Sequence, residues 1–148
     1  MQIRRMIDQD LDIVVELEQQ LFPDPWSRKS FEYDLHHNPY SLPLILEDDE
    51  KIIGYAIAWR IYEEFHIANI AVHPDFQGKK IGTYFLGELL KMHRDCSYAI
   101  LEVRESNVRA IHLYKKYGFR TIMKRIRYYR NGETALVMQK ILIKSKEN

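Results

Sequence analysis

Short runs in which apolar residues alternate with polar ones, and longer segments with apolar positions three or four apart, succeed one another along this chain. Residues 3–6 read as a short strand. Over residues 7–22, Leu11, Val14, Val15 and the apolar positions from Leu17 to Leu21 fall at helical spacing, with aspartates in the first turn. Pro23 and Pro25 cannot continue that helix, and Ser27 then caps a second one over residues 28–37. Strands are predicted at 44–47, 51–62 and 65–72, the first two joined by a polar hairpin turn over 47–51. A helix over 81–94 carries Ile81, Phe85 and Leu89 on its inner stripe. A strand at 98–104, a helix over 107–117 and two strands at 119–130 and 134–142, joined at 131–133, complete the pattern, and residues 144–148 are expected to fray. The order β-α-α-β-β-β-α-β-α-β-β combines antiparallel hairpins with a β-α-β crossover. It predicts an α/β (α+β) domain with one mixed sheet and helices on both faces.

Composition narrows the picture. A chain of 148 residues, 46% hydrophobic, is read as one domain over 1–148 with one continuous core. The single cysteine, Cys96, excludes an internal disulfide framework and lies outside any nucleophile motif. No Cys/His group has metal-ligand spacing, so no metal is expected. The start of the chain lacks an apolar leader and no run reaches transmembrane length, so a soluble cytoplasmic protein without a membrane partner is expected. A net charge of +1 argues against a nucleic-acid binder. The charges segregate: residues 1–50 carry 4 Lys/Arg against 12 Asp/Glu, and residues 51–148 carry 18 against 9. That split fits an anion site in the later part and a cation site near the earlier part, or two solvated faces of opposite sign.

Residues 73–82 place Gly78, Lys79, Lys80 and Gly82 between a predicted strand and a predicted helix. The first turn of a helix has N–H groups without internal partners, and together with the helix dipole they attract an anion. Glycine lets a ligand approach the backbone, and the two lysines add positive charge, so the ligand indicated is a pyrophosphate. An ordinary strand-to-helix turn is the competing reading. Neither a Walker P-loop nor a G-x-G-x-x-G pattern is present.

Residues 69–82 resemble the acetyl-CoA motif of the GNAT N-acetyltransferases, [RQ]-x-x-G-x-[GA] after a strand that carries a β-bulge. Here the segment reads Gln77-Gly78-Lys79-Lys80-Ile81-Gly82, and Lys80 stands where the family usually has its first glycine. The resemblance continues through residues 22–27, 101–119 and 125–139, in order, over nearly the whole chain. Within the family it is most similar to the branch that acetylates the N-terminal alanine of a ribosomal protein. It implies the GNAT fold, a single mixed, mostly antiparallel central sheet of about seven strands with helices on both faces. It also implies acetyl-CoA as acetyl donor, held by Ile70, Ala71 and Val72 of a splayed strand, by Gln77, Gly78, Lys79, Lys80, Ile81, Gly82 and Thr83 of the loop, and by Asn107.

Two residue types in this frame carry chemistry. Glu102 lies among apolar residues of a predicted strand, where a carboxylate is expensive unless hydrogen-bonded or functional. An ion pair with Arg104, or with another arginine where the strand meets solvent, is one explanation; the resemblance makes Glu102 the general base. Tyr114 reads as a core aromatic or, by resemblance, as the general acid, while Tyr117 fits the core role better. Asn107 can cap the helix that follows it. The attacking amine must lose its proton, and an α-amino group with a pKa near ~8 can give it to a positioned carboxylate. A backbone N–H around residues 70–72 is the expected donor to the thioester oxygen. Trp26 on the lip between the first two helices, with Tyr128 and Tyr129 on the opposing loop, would line the acceptor. The expected partner is a protein N-terminus, that of a ribosomal protein. Two alternatives stay open here: a small-molecule amine as acceptor, or a non-catalytic acetyl-CoA-binding scaffold.

Overall fold

The computed structural model describes residues 1–142; the fraying expected at 144–148 lies outside them. The polar residues 47–51 turn the chain back on itself, with Asp49 and Glu50 both at positive φ (50° and 64°), the twist that a two-residue hairpin turn requires. This turn joins β2 (Ser41–Asp48) to β3 (Lys51–Ile61). The remaining strands are β1 (Gln2–Arg5), β4 (Glu64–Val72), β5 (Tyr98–Arg104), β6 (Arg120–Arg125) and β7 (Ala135–Ile141). They form one seven-stranded sheet in the order β1-β2-β3-β4-β5-β7-β6. Every pairing is antiparallel except β4 with β5, which α3 (Ile81–Met92) connects as a crossover. The mixed, mostly antiparallel sheet is therefore as expected.

The helices cover both faces. α1 (Leu11–Leu21) and α2 (Arg28–His36) pack Leu11, Val14, Leu17 and Phe31 against Ile45, Tyr55 and Ile57. Ser27 accepts a hydrogen bond from the Ser30 N–H and so starts α2, the cap read from the sequence. On the other face, α3 buries Phe85, Leu86 and Leu89 against Ala56, Phe65, Leu101 and Met138, and α4 (Val108–Lys116) adds Tyr114. Each fully buried large apolar side chain contributes roughly 1.5–3 kcal/mol.

The last hairpin differs from expectation. The strand predicted to reach residue 130 ends at Arg125, because its partner β7 begins at Ala135. Without a ladder to join, residues 126–134 form a loop. Arg104 Nη1 donates to Glu133 at 2.9 Å and the Arg130 N–H donates to Asp24 at 3.2 Å, tying that loop to the sheet and to the lip between α1 and α2. Tyr128 and Tyr129 thus lie on this loop, as the acceptor-side reading placed them, and outside the strand predicted to reach residue 130.

Two irregularities open the sheet. Ile57 pairs with Asn69 and Ala58 with Ile67, so Ala68 is an extra residue, a bulge in β4. The parallel pairing of β4 with β5 covers only Glu64 to Ile67 against Tyr98 to Leu101. Beyond the bulge the two strands part, and residues 68–72 face residues 102–104 across a gap.

Candidate active site

The gap exposes backbone donors. The His73 N–H bonds Ile53 O at 2.8 Å, so strand alternation turns Ala71 toward β3 as well. It leaves the N–H groups of Ile70 and Val72 facing the gap. The Val72 carbonyl, on the same side, accepts from Gln77 Nε2 at 3.0 Å. The loop that follows holds Gly78 at φ 80° and Lys80 at φ 62°, both left-handed. For a non-glycine residue that conformation costs about 1–2 kcal/mol, and Lys80 occupies the position where the resemblance has glycine. Among the described residues no acceptor meets the backbone N–H groups from Gly78 through Thr83; the first to bond is Tyr84, to Lys80 O at 3.1 Å.

These donors line a cleft of about 440 Å³ together with Val72, Gln77, Ile81, Gly82 and Thr83. Asn107 caps α4 by accepting from the Ala110 N–H at 3.2 Å, and it lines the same cleft. Of the predicted loop residues, Lys79 turns away and stands 5.4 Å from the centre of the Phe76 ring. Arg109, which sequence reasoning missed, lines the cleft from α4, and one of its guanidinium nitrogens would sit 3.8 Å from a Cβ at Gly78. Its signal was only a cation in the first turn of a helix.

A smaller cavity of about 140 Å³ adjoins the cleft, with Phe22, Ile70 and Asn107 lining both. Glu102 and Tyr114 line it, as do Trp26 and Tyr129. Of the arginine partners considered from the sequence, Arg104 does not pair with the Glu102 carboxylate, but another arginine, Arg125, lies near it. Glu102 Oε2 lies 2.7 Å from His66 Nε2, and Oε1 lies 4.0 Å from Arg125. Burial alone would push this carboxyl up, but the hydrogen bond and charge of His66, with Arg125, outweigh it and hold Glu102 below the ordinary value. Arg104 instead pairs with Glu133 and lies 3.9 Å over the Tyr129 ring. Burial pushes the Tyr114 phenol up to about 12, with the neighbouring Tyr129 adding to the shift. The core assignment read from the sequence is reversed: Tyr114 is the buried core tyrosine, whereas Tyr117 is only partly buried and donates its hydroxyl to Thr83 O at 2.7 Å, because that hydroxyl must reach a backbone acceptor on α3.

A second carboxylate reaches this cavity, and the sequence reading did not single it out. Glu18 is 1% exposed and accepts from the Trp26 N–H at 2.9 Å, Tyr55 Oη at 2.7 Å and Asn69 Nδ2 at 2.8 Å. Burial raises its carboxyl, although the three donors oppose the shift. The one available signal was a glutamate beside Leu17 on the buried stripe of α1. His66 gave no signal, because only the β4–β5 pairing brings it to Glu102.

On the side away from the cleft, Asp24, Trp26 and Tyr129 line both this cavity and a groove of about 850 Å³. Trp59, Tyr128 and Tyr33 add aromatic walls, and Trp26 stacks with Trp59 at 6.4 Å between centroids. The structure therefore gathers Trp26, Glu102, Tyr114 and Tyr129 at one cavity and places Tyr128 on the groove beyond it. Among the described residues no group of three or more side chains is arranged to hold a metal, and no helix is long and apolar enough to cross a membrane.

Comparison with known proteins adds context. The model of the acetyltransferase (GNAT) family matches residues 11–119. A Bacillus subtilis protein provisionally named a ribosomal protein bS18-alanine N-acetyltransferase is 37% identical over 139 residues, 92% of each chain. The ribosomal protein bS18-alanine N-acetyltransferase of Salmonella typhimurium is 35% identical over 134 residues, 87% of this chain and 89% of that one. The crystal structure of the ribosomal-protein-S18-alanine N-acetyltransferase from Escherichia coli superposes with a TM-score of 0.89 at 31% identity, over 99% of this chain and 97% of that one.

Proposed function

Because the chain belongs to the GNAT family of acetyltransferases, we propose that it transfers the acetyl group of acetyl-CoA to a protein N-terminal α-amine. The acceptor in this reading is the N-terminal alanine of a small-subunit ribosomal protein, modified in the cytoplasm by a single domain spanning 1–148. The relatives named for that reaction and the GNAT fold support it. One observation carries it: Glu102 and Tyr114 share a cavity that meets an amide-lined cleft on one side and an aromatic groove on the other.

Acetyl-CoA supplies a thioester whose carbonyl an amine can attack. The residues present fit it. Unpaired N–H groups from Gly78 to Thr83 and the Arg109 guanidinium suit its phosphates, and the N–H groups of Ile70 and Val72 suit the extended arm that leads to the thioester. Glu102, held ionised at neutral pH, takes a proton from the incoming ammonium, directly or through water. An amide of the parted strand donates to the oxygen on which negative charge grows. Tyr114 keeps its proton at neutral pH and supplies it to the departing thiolate. No acyl-enzyme is required, and Cys96, buried away from the cavity, takes no part.

The test is free-thiol release by the purified protein with acetyl-CoA, offered peptides beginning with alanine, peptides with other first residues, and polyamines. Release with the alanine peptides is expected. Release with polyamines alone would replace this reading with small-amine acetylation. CoA binding without release on any amine would leave a scaffold.

A further inference from the structure

The floor of the acceptor groove carries a carboxylate with no counter-charge beside it. Asp34, on the last turn of α2, is 5% exposed. Both of its hydrogen bonds, from Ser41 Oγ at 2.7 Å and from Trp59 Nε1 at 2.6 Å, end on Oδ2. Oδ1 has no protein donor among the described residues. It is not enclosed either, because the one enclosed side-chain polar atom without a partner among those residues is His93 Nε2. Asp34 lines the groove, and Oδ1 is the oxygen its two protein donors leave free.

None of the cations around it pairs with Asp34. Arg130 faces Asp24 at 3.4 Å, and His36 pairs with Asp8 at 2.7 Å. Arg5 reaches the Leu35 carbonyl at 3.5 Å; Lys29, in the first turn of α2, lines the same groove but makes no ion pair with Asp34. His37, the C-cap of α2, sets its ring 6.2 Å from that of Tyr33. The negative end of the α2 dipole falls on the same spot. Trp26 and Trp59, stacked at 30°, give the site two aromatic walls. A largely buried carboxylate with hydrogen bonds on one oxygen but no counter-charge is stabilised by a cation, which the neighbouring indole rings also attract.

Contacts lead from this floor to the reacting end. Asp34 bonds Trp59, the Trp59 and His66 rings meet at 5.0 Å, and His66 bonds Glu102. An extended peptide advances about 3.3 Å per residue, so about its second to fourth residues pass over Asp34 when its first amine is at Glu102. We propose that Asp34, Trp26 and Trp59 form a subsite for a lysine or arginine side chain at one of those positions of the acceptor. The proposal rests on the protein-N-terminal reading above.

Peptides with an N-terminal alanine and one lysine moved through positions two to five, against norleucine or glutamate at the same place, test it. At the favoured position lysine should raise kcat/KM about tenfold over norleucine, through KM, and glutamate should lower it. The lysine advantage should shrink as salt is added. Asp34→Asn keeps an oxygen for both donors and should bring the lysine-to-norleucine ratio close to one. Equal rates for lysine and norleucine at every position, or an undiminished ratio in a folded Asp34→Asn protein, overturn the subsite. The peptide series on the unsubstituted protein decides by itself if that variant does not fold. Brisk acetylation with a flat ratio sinks the subsite alone; polyamine acetylation without any peptide acetylation sinks the acceptor reading and the subsite together.

Discussion

Glu102 is held by residues that its own stretch of chain does not contain. His66 is 36 positions earlier and reaches it only because β4 and β5 lie in parallel. Burial pushes the carboxyl up and His66 with Arg125 pulls it further down, so the folded value lies below the unfolded one. The charged form, with the stability it brings, is present above the ordinary carboxylate range and is lost as pH falls through the folded value. Glu102→Gln should lower kcat by about 10²–10⁴ while leaving the CoA dissociation constant unchanged; loss of CoA binding would make Glu102 a structural residue. His66→Gln keeps a donor and removes the charge, so burial is less opposed. The acidic limb of the kcat/KM profile should then move to higher pH, with kcat above neutrality little changed. An unmoved limb would separate His66 from the base.

The turn from β4 into α3 has a conformational demand that its sequence half meets. Gly78 satisfies one left-handed position at no steric cost, whereas Lys80 occupies the other with a side chain. Lys80→Gly should stabilise the free protein by about 0.5–1 kcal/mol, the left-handed penalty less the added freedom of glycine in the unfolded chain. In a chain of this size that is roughly 1–4 °C in Tm. A fall in Tm would mean that the lysine side chain contributes a contact worth more than the strain. The lysine explains why the glycine pattern is incomplete in sequence while the loop still leaves its amides free.

Across the whole molecule, one side chain ties the layers together at the site. Glu18 on α1 accepts donors from the lip at Trp26, from β3 at Tyr55 and from the displaced strand at Asn69. The Ala68 bulge is what turns Asn69 toward it: before the bulge Phe65 and Ile67 pack on the α3 face, and after it Ala71 packs on the α1 face. Glu18→Gln replaces an acceptor oxygen by a donor against these groups and should lower stability by about 1–3 kcal/mol, read as a lower thermal midpoint. It should also raise the KM for peptide, because the lip loses its anchor. An unchanged midpoint would show that the network relaxes without loss.

Periodicity was enough to lay out helices, strands and their order, since burying an apolar stripe or face requires a matching repeat and a local signal reports it. The amide loop was legible for the same reason, its glycine, lysines and helix start being contiguous, and Glu102 and Tyr114 were legible through the resemblance. The His66 partner of Glu102, the Glu18 network and the floor at Asp34 were not. Each joins residues from separate elements, and the geometry comes from a bulge and a parted pair of strands whose register depends on the packing of both faces. Even the reach of β6 was settled by its partner, because a strand without a ladder to complete its hydrogen bonds becomes a loop.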